Sequence, residues 1–457
     1  MKRYLILLVF GFAFFLTSCN RQKTSDSNGE QIASNTSKEE INYELIFKEE
    51  SLLTPLMNSP GCSLGLTSEE CLPLIKELKD RVIEIIKSID SSINVDENQI
   101  RLYSEVSVYL DDLTASELIN LEREKGTYHY ELVQSIGVQA RRPIMQSEYI
   151  LQARRPIMQE QLRYDSTNKA SRMVQEIGGG APASGNPSHR IWIIDSGIDS
   201  THQDIQFELS EKDLSISFAK LDPNPFNDEL GHGTFIAGIV GGEASTKPEY
   251  EFGYGINGVY PGAKMVSIKV FDADGNSNTS RIKSGLEHVL ANGQPGDIVN
   301  LSLGYKVNPS ACESGIVYQK ILELAEKGIY VVMSAGNSSE ESLMNFPGCI
   351  DLSTKPTSVK SKLFTIGSVE VLNSGSYLFS SFSNYGMPSL DYLEPGENIF
   401  TTAPGGMYVM VSGTSFSTAI FSGILYHQSP VGNITTIKRG AAPGDPDPSY
   451  PIGKIGN

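Results

Sequence analysis

Three residues far apart in a chain of 457, Asp195, His232 and Ser415, stand in settings that suit chemistry better than packing. Ser415 lies in G-T-S-F-S-T-A (Gly413 to Ala419), between the apolar stretch Met407 to Val411 and a second apolar stretch of helical character. A Ser or Thr before such a run usually caps a helix. A hydroxyl becomes a nucleophile only when a base takes its proton. That base is an imidazole within hydrogen-bond reach, held in turn by a carboxylate on its other nitrogen. His232 sits in G-H-G-T-F-I-A-G-I-V-G, where two glycines allow close backbone approach and leave the ring accessible. Asp195 ends the apolar run of I-W-I-I-D-S-G-I-D, at a glycine turn where a carboxylate can orient a partner. D-S-G also occurs in aspartic peptidases, but these need two carboxylates sharing a proton, and no second D-[ST]-G is present. The other histidines, His129, His189, His202, His288 and His427, lack the glycine frame and read as structural.

These residues need a scaffold, and the pattern from Arg190 onward supplies one. Short apolar runs recur at Ile191 to Ile194, Met265 to Val270, Asp297 to Leu303, Ile329 to Ser334 and Leu363 to Val369. Helical windows fall between several of them, at Arg281 to Leu290 and Ile316 to Lys327. Such alternation predicts a parallel sheet with helices on both faces, and ligands bind at the carboxyl ends of its strands.

The motifs D-S-G-I-D, G-H-G-T-F-I-A-G and G-T-S-F-S-T-A, in that order, resemble the subtilisin-like (S8) serine peptidases over roughly Arg172 to Gln428. The resemblance implies that Ser415 attacks a peptide carbonyl, His232 shuttles the proton and Asp195 holds the imidazole. Ser417 matches no catalytic position. S-A-G-N (Ser334 to Asn337) resembles the family's oxyanion-hole stretch, which makes Asn337 a donor beside the Ser415 backbone N–H; a turn residue after a strand is the plainer reading. N-L-S-L-G (Asn300 to Gly304) resembles the edge that pairs with extended substrate. Ser302, Leu303, Gly304 and Ala335 are then expected to line the pocket for the residue before the cut, and the uncharged Ser338 after Asn337 favours apolar or neutral side chains there. Two departures stand out. Ala419 occupies a place where the family usually has Pro, and the chain ends soon after the Ser415 helix, with no further helix read from Pro430 to Asn457.

The implied fold class is α/β: a subtilisin-like parallel sheet with helices on both faces, preceded by a small α+β (β-α-β) propeptide-like domain. That domain is read from helical spacing over Leu72 to Ile89, strand alternation over Ile100 to Leu110, a capping box at Thr114 to Glu117 and a returning strand at Thr127 to Val133. The octamer Q-A-R-R-P-I-M-Q follows twice, at Gln139 to Gln146 and Gln152 to Gln159. It reads as a duplication within a linker, or as a processing region marked by the dibasic pairs Arg141–Arg142 and Arg154–Arg155. The expected divisions are a signal peptide (1–18), a flexible tether (19–45), the propeptide-like domain (46–135), the linker (136–171), the catalytic domain (172–430) and a Gly/Pro-rich tail (431–457).

The N-terminus has a basic start, Lys2 and Arg3, and an apolar run from Leu5 to Leu16, shorter than the ~20 residues a spanning helix needs. It ends in L-T-S-C, which resembles the lipobox of bacterial lipoproteins and makes Cys19 a lipidation site; a plain secretory signal is the alternative. Cys62, Cys71, Cys312 and Cys349 remain, an even number that suggests disulfides in an exported chain, and local pairing is one of three connectivities. A net charge of -17 argues against nucleic acid as a partner. The expected partners are protein or peptide substrates, the chain's own propeptide and a membrane reached through the lipid. No cofactor is required and no metal site is assigned. D-A-D-G-N-S (Asp272 to Ser277) lacks the Glu of an EF-hand and reads as a loop rimming the substrate cleft. The acidic stretch Asp222 to Glu229 reads as a solvated loop, with structural calcium as the alternative. A non-catalytic surface lipoprotein keeping the fold for binding is the rival function; an esterase is disfavoured because neither a G-x-S-x-G elbow nor the order Ser, Asp, His is present.

Overall fold

A computed structural model of the protein describes residues 164–181, 187–219, 222–245, 255–427, 431–440 and 448–456. Upstream it describes five short strands and helical positions at Lys76, Asp80, Ile83, Glu84 and Lys87. The signal and the tether as far as residue 42, Cys19, Cys62, Cys71, His129, the capping box and residues 140–163 lie outside the described residues.

The upstream strands are β1 (Tyr43–Phe47), β2 (Ile100–Leu102), β3 (Val106–Leu110) and β4 (Tyr130–Gln134), in an antiparallel sheet of order β2-β3-β1-β4. The alternating run Ile100 to Leu110 is thus an antiparallel strand pair rather than one strand. β1 begins within the stretch read as tether, because its partners β3 and β4 lie too far along the chain for local periodicity to reveal. β5 (Val138–Gln139) follows.

The main body opens with β6 (Tyr164–Asp165), β7 (Ala170–Ser171) and helix α1 (Arg172–Glu176), so it starts several residues before 172. Tyr164 fixes that start: its hydroxyl donates to the Gly255 carbonyl at 2.6 Å and its ring packs edge-on against Phe400 at 5.2 Å. Next come β8 (Ile191–Asp195), α2 (Leu209–Leu214), β9 (Ile216–Ser217), α3 (His232–Gly241), β10 (Met265–Lys269), β11 (Asn276–Ser277) and α4 (Thr279–Asn292). The second half holds β12 (Ile298–Leu301), β13 (Tyr305–Lys306), α5 (Ile316–Glu326), β14 (Tyr330–Ser334), β15 (Asn345–Phe346), α6 (Thr357–Lys360), β16 (Leu363–Val371), β17 (Tyr377–Phe379) and β18 (Tyr392–Pro395). The hairpin β19 (Ile399–Ala403) and β20 (Met407–Val411) leads into α7 (Thr414–His427), followed by β21 (Gly432–Lys438) and β22 (Ser449–Lys454).

The central sheet runs β21-β22-β18-β16-β14-β12-β8-β10-β9 and is parallel except where β17 meets β16 and β21 meets β22. β8 pairs with β10 on one side and β12 on the other, so the strand order reverses around it. Such a switch point opens a crevice at the carboxyl ends of the strands. Alternating strand residues bury both faces. Ile191, Ile193, Ile298 and Val332 meet α3 and α7, whereas Trp192, Ile194, Val299 and Val331 meet α4 and α5. The Trp192 indole N–H donates to Asp297 Oδ2 at 2.9 Å, so this bulky core residue leaves no donor unmet. α4 starts where Asn278 Oδ1 accepts from the Arg281 N–H at 2.8 Å.

The described cysteines Cys312 and Cys349 form a disulfide across 37 residues, which matches the local pairing for this half of the cysteine set. No helix among the described residues is long and apolar enough to cross a membrane.

Among the described residues the tail contains no helix, but it is more than a Gly/Pro-rich appendage. β22 adds in parallel to β18 through Leu393↔Ile452, and β21 pairs with β22 to form the sheet's edge. Tyr450 and Ile452 are buried with Leu393, Val369 and Phe379. Ile452→Ala is therefore expected to destabilise the protein by about 2–5 kcal/mol, the usual range for truncating a buried aliphatic, as measured by urea unfolding. An unchanged midpoint would mean that the segment hangs free of the sheet.

Candidate active site

β8 delivers Asp195 to the switch point, where both carboxylate oxygens lie 2.8 and 2.9 Å from His232 Nδ1. His232 is the first residue of α3, and Gly231 before it has φ of 85°, in the left-handed region that glycine tolerates best. The approach of α3 to the Asp195 turn depends on Gly233. A Cβ there would lie 2.0 Å from the Gly197 carbonyl, so any side chain would force the helix and the ring off the carboxylate. Asp195 and His232 are fully buried. Burial pushes the imidazole pKa down. The charge and hydrogen bond of Asp195, with the charge of Asp228 behind them, push it up further, and it ends above its ordinary value. Among the described residues, His232 Nε2 has no hydrogen-bond partner.

Ser415 reaches the same place from the other direction, as the second residue of α7. The ring of the next residue, Phe416, lies with its centroid 5.7 Å from that of His232. The Ser415 hydroxyl donates to the Ser302 carbonyl at 3.3 Å, and the Ser302 hydroxyl donates to the Ser415 carbonyl at 2.8 Å. This reciprocal pair ties the start of α7 to the end of β12. Behind it Asn300 Nδ2 donates to Ser302 Oγ at 2.9 Å, and Ser422, two turns along α7, donates to Asn300 Oδ1 at 3.0 Å. Ser417 instead donates to the Glu394 carbonyl at 3.1 Å, facing away from the imidazole's neighbours.

Asn337 follows β14. Its Oδ1 accepts from the Thr414 N–H at 2.9 Å and from the Thr414 hydroxyl at 2.7 Å. With the oxygen so engaged, the Nδ2 group faces the turn before Ser415, 3.2 Å from where a Cβ on Gly413 would stand. Asn384 steadies the loop from below: its Oδ1 accepts the N–H groups of Ser338 and Glu340, and its Nδ2 donates to the Ala335 carbonyl. Ser302 bonds to Ser415, and Gly304 and Ala335 both lie against the Asn345 amide, whereas the Leu303 side chain packs into the core beneath α4 and α5.

The subtilase family model, Peptidase_S8, matches residues 189–427, just over half of the chain. The chain belongs to the subtilase family. It is 31% identical to subtilisin NAT of Bacillus subtilis subsp. natto over 234 residues, 51% of this chain and 53% of that protein. The same figures hold for subtilisin E of Bacillus subtilis (strain 168), and the minor extracellular protease Epr of that strain is 29% identical over 229 residues, 50% of this chain and 30% of that one. The chain thus spans about half the length of the subtilisins it matches. Among solved structures it resembles a cold adapted subtilisin-like serine proteinase, at 25% identity and a TM-score of 0.41 over 56% of this chain and 83% of that one.

Several supporting residues of this subtilase escape a reading by sequence. Asp228, taken there as part of a solvated acidic loop, is buried. It accepts from the Ser196 hydroxyl, the Gly231 and Thr234 N–H groups and the Thr234 hydroxyl at 2.6–2.8 Å. It thereby satisfies donors at the start of α3. Lys269, fully buried, donates to the Ser196 carbonyl at 2.6 Å and lies 3.3 Å from Asp222. Asp222 is so engaged that its stretch does not read as bare solvated acid either. Asp228 lies four residues before His232, and that spacing is the one signal that links it to the site. The other described histidines stay structural: Nε2 of His189, His202 and His288 meets the carbonyls of Tyr426, Met407 and Leu214. His427 lies against the Tyr260 ring. Among the described residues no group of three or more His, Cys, Asp or Glu side chains is placed to hold a metal.

The arrangement can take a proton from a hydroxyl at Ser415 and stabilise the resulting imidazolium. Only the neutral imidazole accepts that proton, so reactivity is lost as pH falls through the raised pKa of His232. Fluorophosphonate labelling of Ser415 is expected to follow an acid limb whose midpoint lies above the ordinary histidine value of about 6.5. Asp195→Asn should slow labelling by about four orders of magnitude. A limb below 6, or labelling indifferent to Asp195, would contradict the relay.

Proposed function

We propose that this subtilase is a serine endopeptidase made as an exported, lipid-anchored zymogen. The observation that carries the reading is the buried Asp195–His232 pair with an unpartnered Nε2, set beside Ser415 at the start of α7. In the proposed reaction Ser415 Oγ turns from the Ser302 carbonyl and attacks the substrate carbonyl carbon while His232 Nε2 takes its proton. The oxyanion is received by Asn337 Nδ2 and the Ser415 N–H. One side-chain donor of this kind is worth about 2.7–4 kcal/mol, a value measured in a subtilisin. The tetrahedral intermediate collapses, His232 passes the proton to the leaving amine, and an acyl-enzyme remains. Water then repeats the sequence, with Ser415 as the leaving group. Asp195 fixes the tautomer and balances the imidazolium. The segment Ser302 to Gly304 offers main-chain groups to an extended substrate. No step calls for a cofactor.

The zymogen reading is supported by β5. Val138 and Gln139 pair antiparallel with Ser277 and Asn276 of β11, the strand that follows the turn at Asp272, in the loop that the sequence predicts to rim the cleft. A segment upstream of the main body thus lies along that rim as an added strand would. Tyr164 is already bound to the body. Self-cleavage that frees the cleft therefore falls between Gln139 and Tyr164, the interval that holds both Q-A-R-R-P-I-M-Q octamers. Export and anchoring rest on the basic start, the apolar run and L-T-S-C at the N-terminus. The rival reading, a binding lipoprotein, gains nothing from a buried Asp195–His232 pair set beside Ser415.

Ser415→Ala is expected to abolish peptide hydrolysis and to leave the upstream segment attached. N-terminal sequencing of the active form should begin after Gln139 and no later than Tyr164. Identical processing of both proteins would remove self-cleavage from the account, and wild-type protein that labels at Ser415 yet hydrolyses no peptide would remove the peptidase. Cys19→Ser is expected to move the protein from the membrane fraction to the soluble one; retention in the membrane would dismiss the lipid.

A further inference from the structure

The tail hairpin and the helix that carries Ser415 meet through one buried acid. Glu394 lies on β18, between β16 and β22, and is fully buried. Its Oε1 accepts from the Gly453 N–H of β22 at 3.0 Å. A Cβ on Gly453 would stand 2.3 Å from that oxygen, so only glycine lets the tail strand come this close. Among the described residues Oε2 has no hydrogen-bond partner. The Glu394 carbonyl accepts from the Ser417 hydroxyl of α7 at 3.1 Å, and two residues on the Gly396 carbonyl accepts from the Gly413 N–H at 2.8 Å. The side chain thus holds the tail, and the main chain beside it holds the start of α7.

The surroundings suit a neutral acid and not a carboxylate. β16 presents Ser368 across from it, α7 presents Ser417 and β22 presents Gly453, none of them charged. The ionisable groups that feel its charge are Tyr377 of β17 and Tyr392 of β18, and Tyr377 donates to Glu176 Oε1 of α1 at 2.5 Å. Lys454, next along β22, lies over Gly432 instead. A buried carboxylate with one backbone donor and no facing cation is costly. Burial accordingly pushes the Glu394 carboxyl well above its ordinary 4.5, against the smaller opposing pull of the Gly453 N–H.

We propose that Glu394 is a pH-sensitive latch: as a neutral acid it fastens β22 to the sheet beside the Ser415 helix, and its ionisation releases the hairpin β21–β22. The hairpin can part without breaking a long ladder, because β22 is registered on β18 through Leu393↔Ile452 and is held beyond it by the Ile455 N–H on the Ile177 carbonyl. The latched acid binds its proton more tightly than the released one. The latch is therefore firmest at and below pH 4.5 and weakens as pH rises, the release equilibrium growing tenfold per pH unit until the latched acid itself ionises.

The test is hydrogen exchange of the full chain carrying Ser415→Ala, which cannot digest itself and makes the result independent of the peptidase reading. Protection of residues 449–456, corrected for intrinsic exchange, is followed from about pH 5 to about pH 9. It is expected to fall at least tenfold across that range, while β12 keeps its protection. Glu394→Gln still offers an oxygen to Gly453 but cannot ionise, so its tail protection should stay level. If that variant does not fold, Glu394→Ala serves, with weaker tail protection that is equally indifferent to pH. The same fall with and without an ionisable group at this position would overturn the latch. So would a tail that is unprotected at every pH, or a loss shared equally by β12, which would mean global unfolding in place of release.

Discussion

A carboxylate and an imidazole, both out of water and 2.8 Å apart, set the terms for the rest of the molecule. Burying such a pair is costly unless every remaining lone pair and proton is met. Here the Ser196 N–H donates to Asp195 Oδ1 at 2.7 Å, and the Asp195 carbonyl accepts from Val270 at 2.7 Å. The turn that carries these groups is gripped by Lys269 on one side and Asp228 on the other. The close fit of Gly233 on Gly197 is the steric half of the same requirement, since the ring reaches the carboxylate only if helix and turn touch through backbone.

The sheet explains why residues so distant in sequence can meet. Order reversal around β8 leaves open the ends of β8 and β12, and each of the site's parts is anchored to one of these ends or to a helix packed on them. Asp195 is the last residue of β8. Ser302 follows β12 and holds Ser415 by two hydrogen bonds, with Asn300 and Ser422 locking strand to helix one layer deeper. Asn337 follows β14 and is aimed by Thr414, the residue before Ser415. Ser415 and Asn337 are therefore positioned by shared contacts. A shift of α7 moves both together, which preserves their mutual geometry under the small motions that any helix terminus undergoes.

Sequence made the parallel core legible because its strands are buried on both faces and stand out as short apolar runs bounded by polar turns. Ile191 to Asp195 and Ile298 to Leu301 are such runs, and D-S-G-I-D and N-L-S-L-G could be placed at their ends. The hairpin β21–β22 was not legible. Its inner strand, S-Y-P-I-G-K, carries both Pro and Gly, which normally mark loops, and only the alternation of Tyr450 and Ile452 betrays it. The upstream sheet was half legible, since alternation reveals a strand but not where it breaks or what it pairs with. Asn345 was hidden for a different reason. In N-F-P-G it has the composition of a turn, and only the fold brings it against Gly304, forty-one residues before it, as well as Ala335, ten before it.

Asp195 and Asp228 illustrate why composition alone could not sort functional from structural carboxylates. Both are buried, both are near His232, and both serve the Asp195–Ser196 turn. Asp228 spends its two oxygens on four donors, from Ser196, Gly231 and Thr234, all belonging to the frame. It has no geometry left for the imidazole and acts on it only through charge. Asp195 accepts one backbone N–H and turns both oxygens to Nδ1. The difference lies in what each carboxylate has left to accept once the fold is satisfied, and it is set by the order of the chain: Asp195 ends a strand facing the crevice, whereas Asp228 precedes a helix whose first N–H groups claim it.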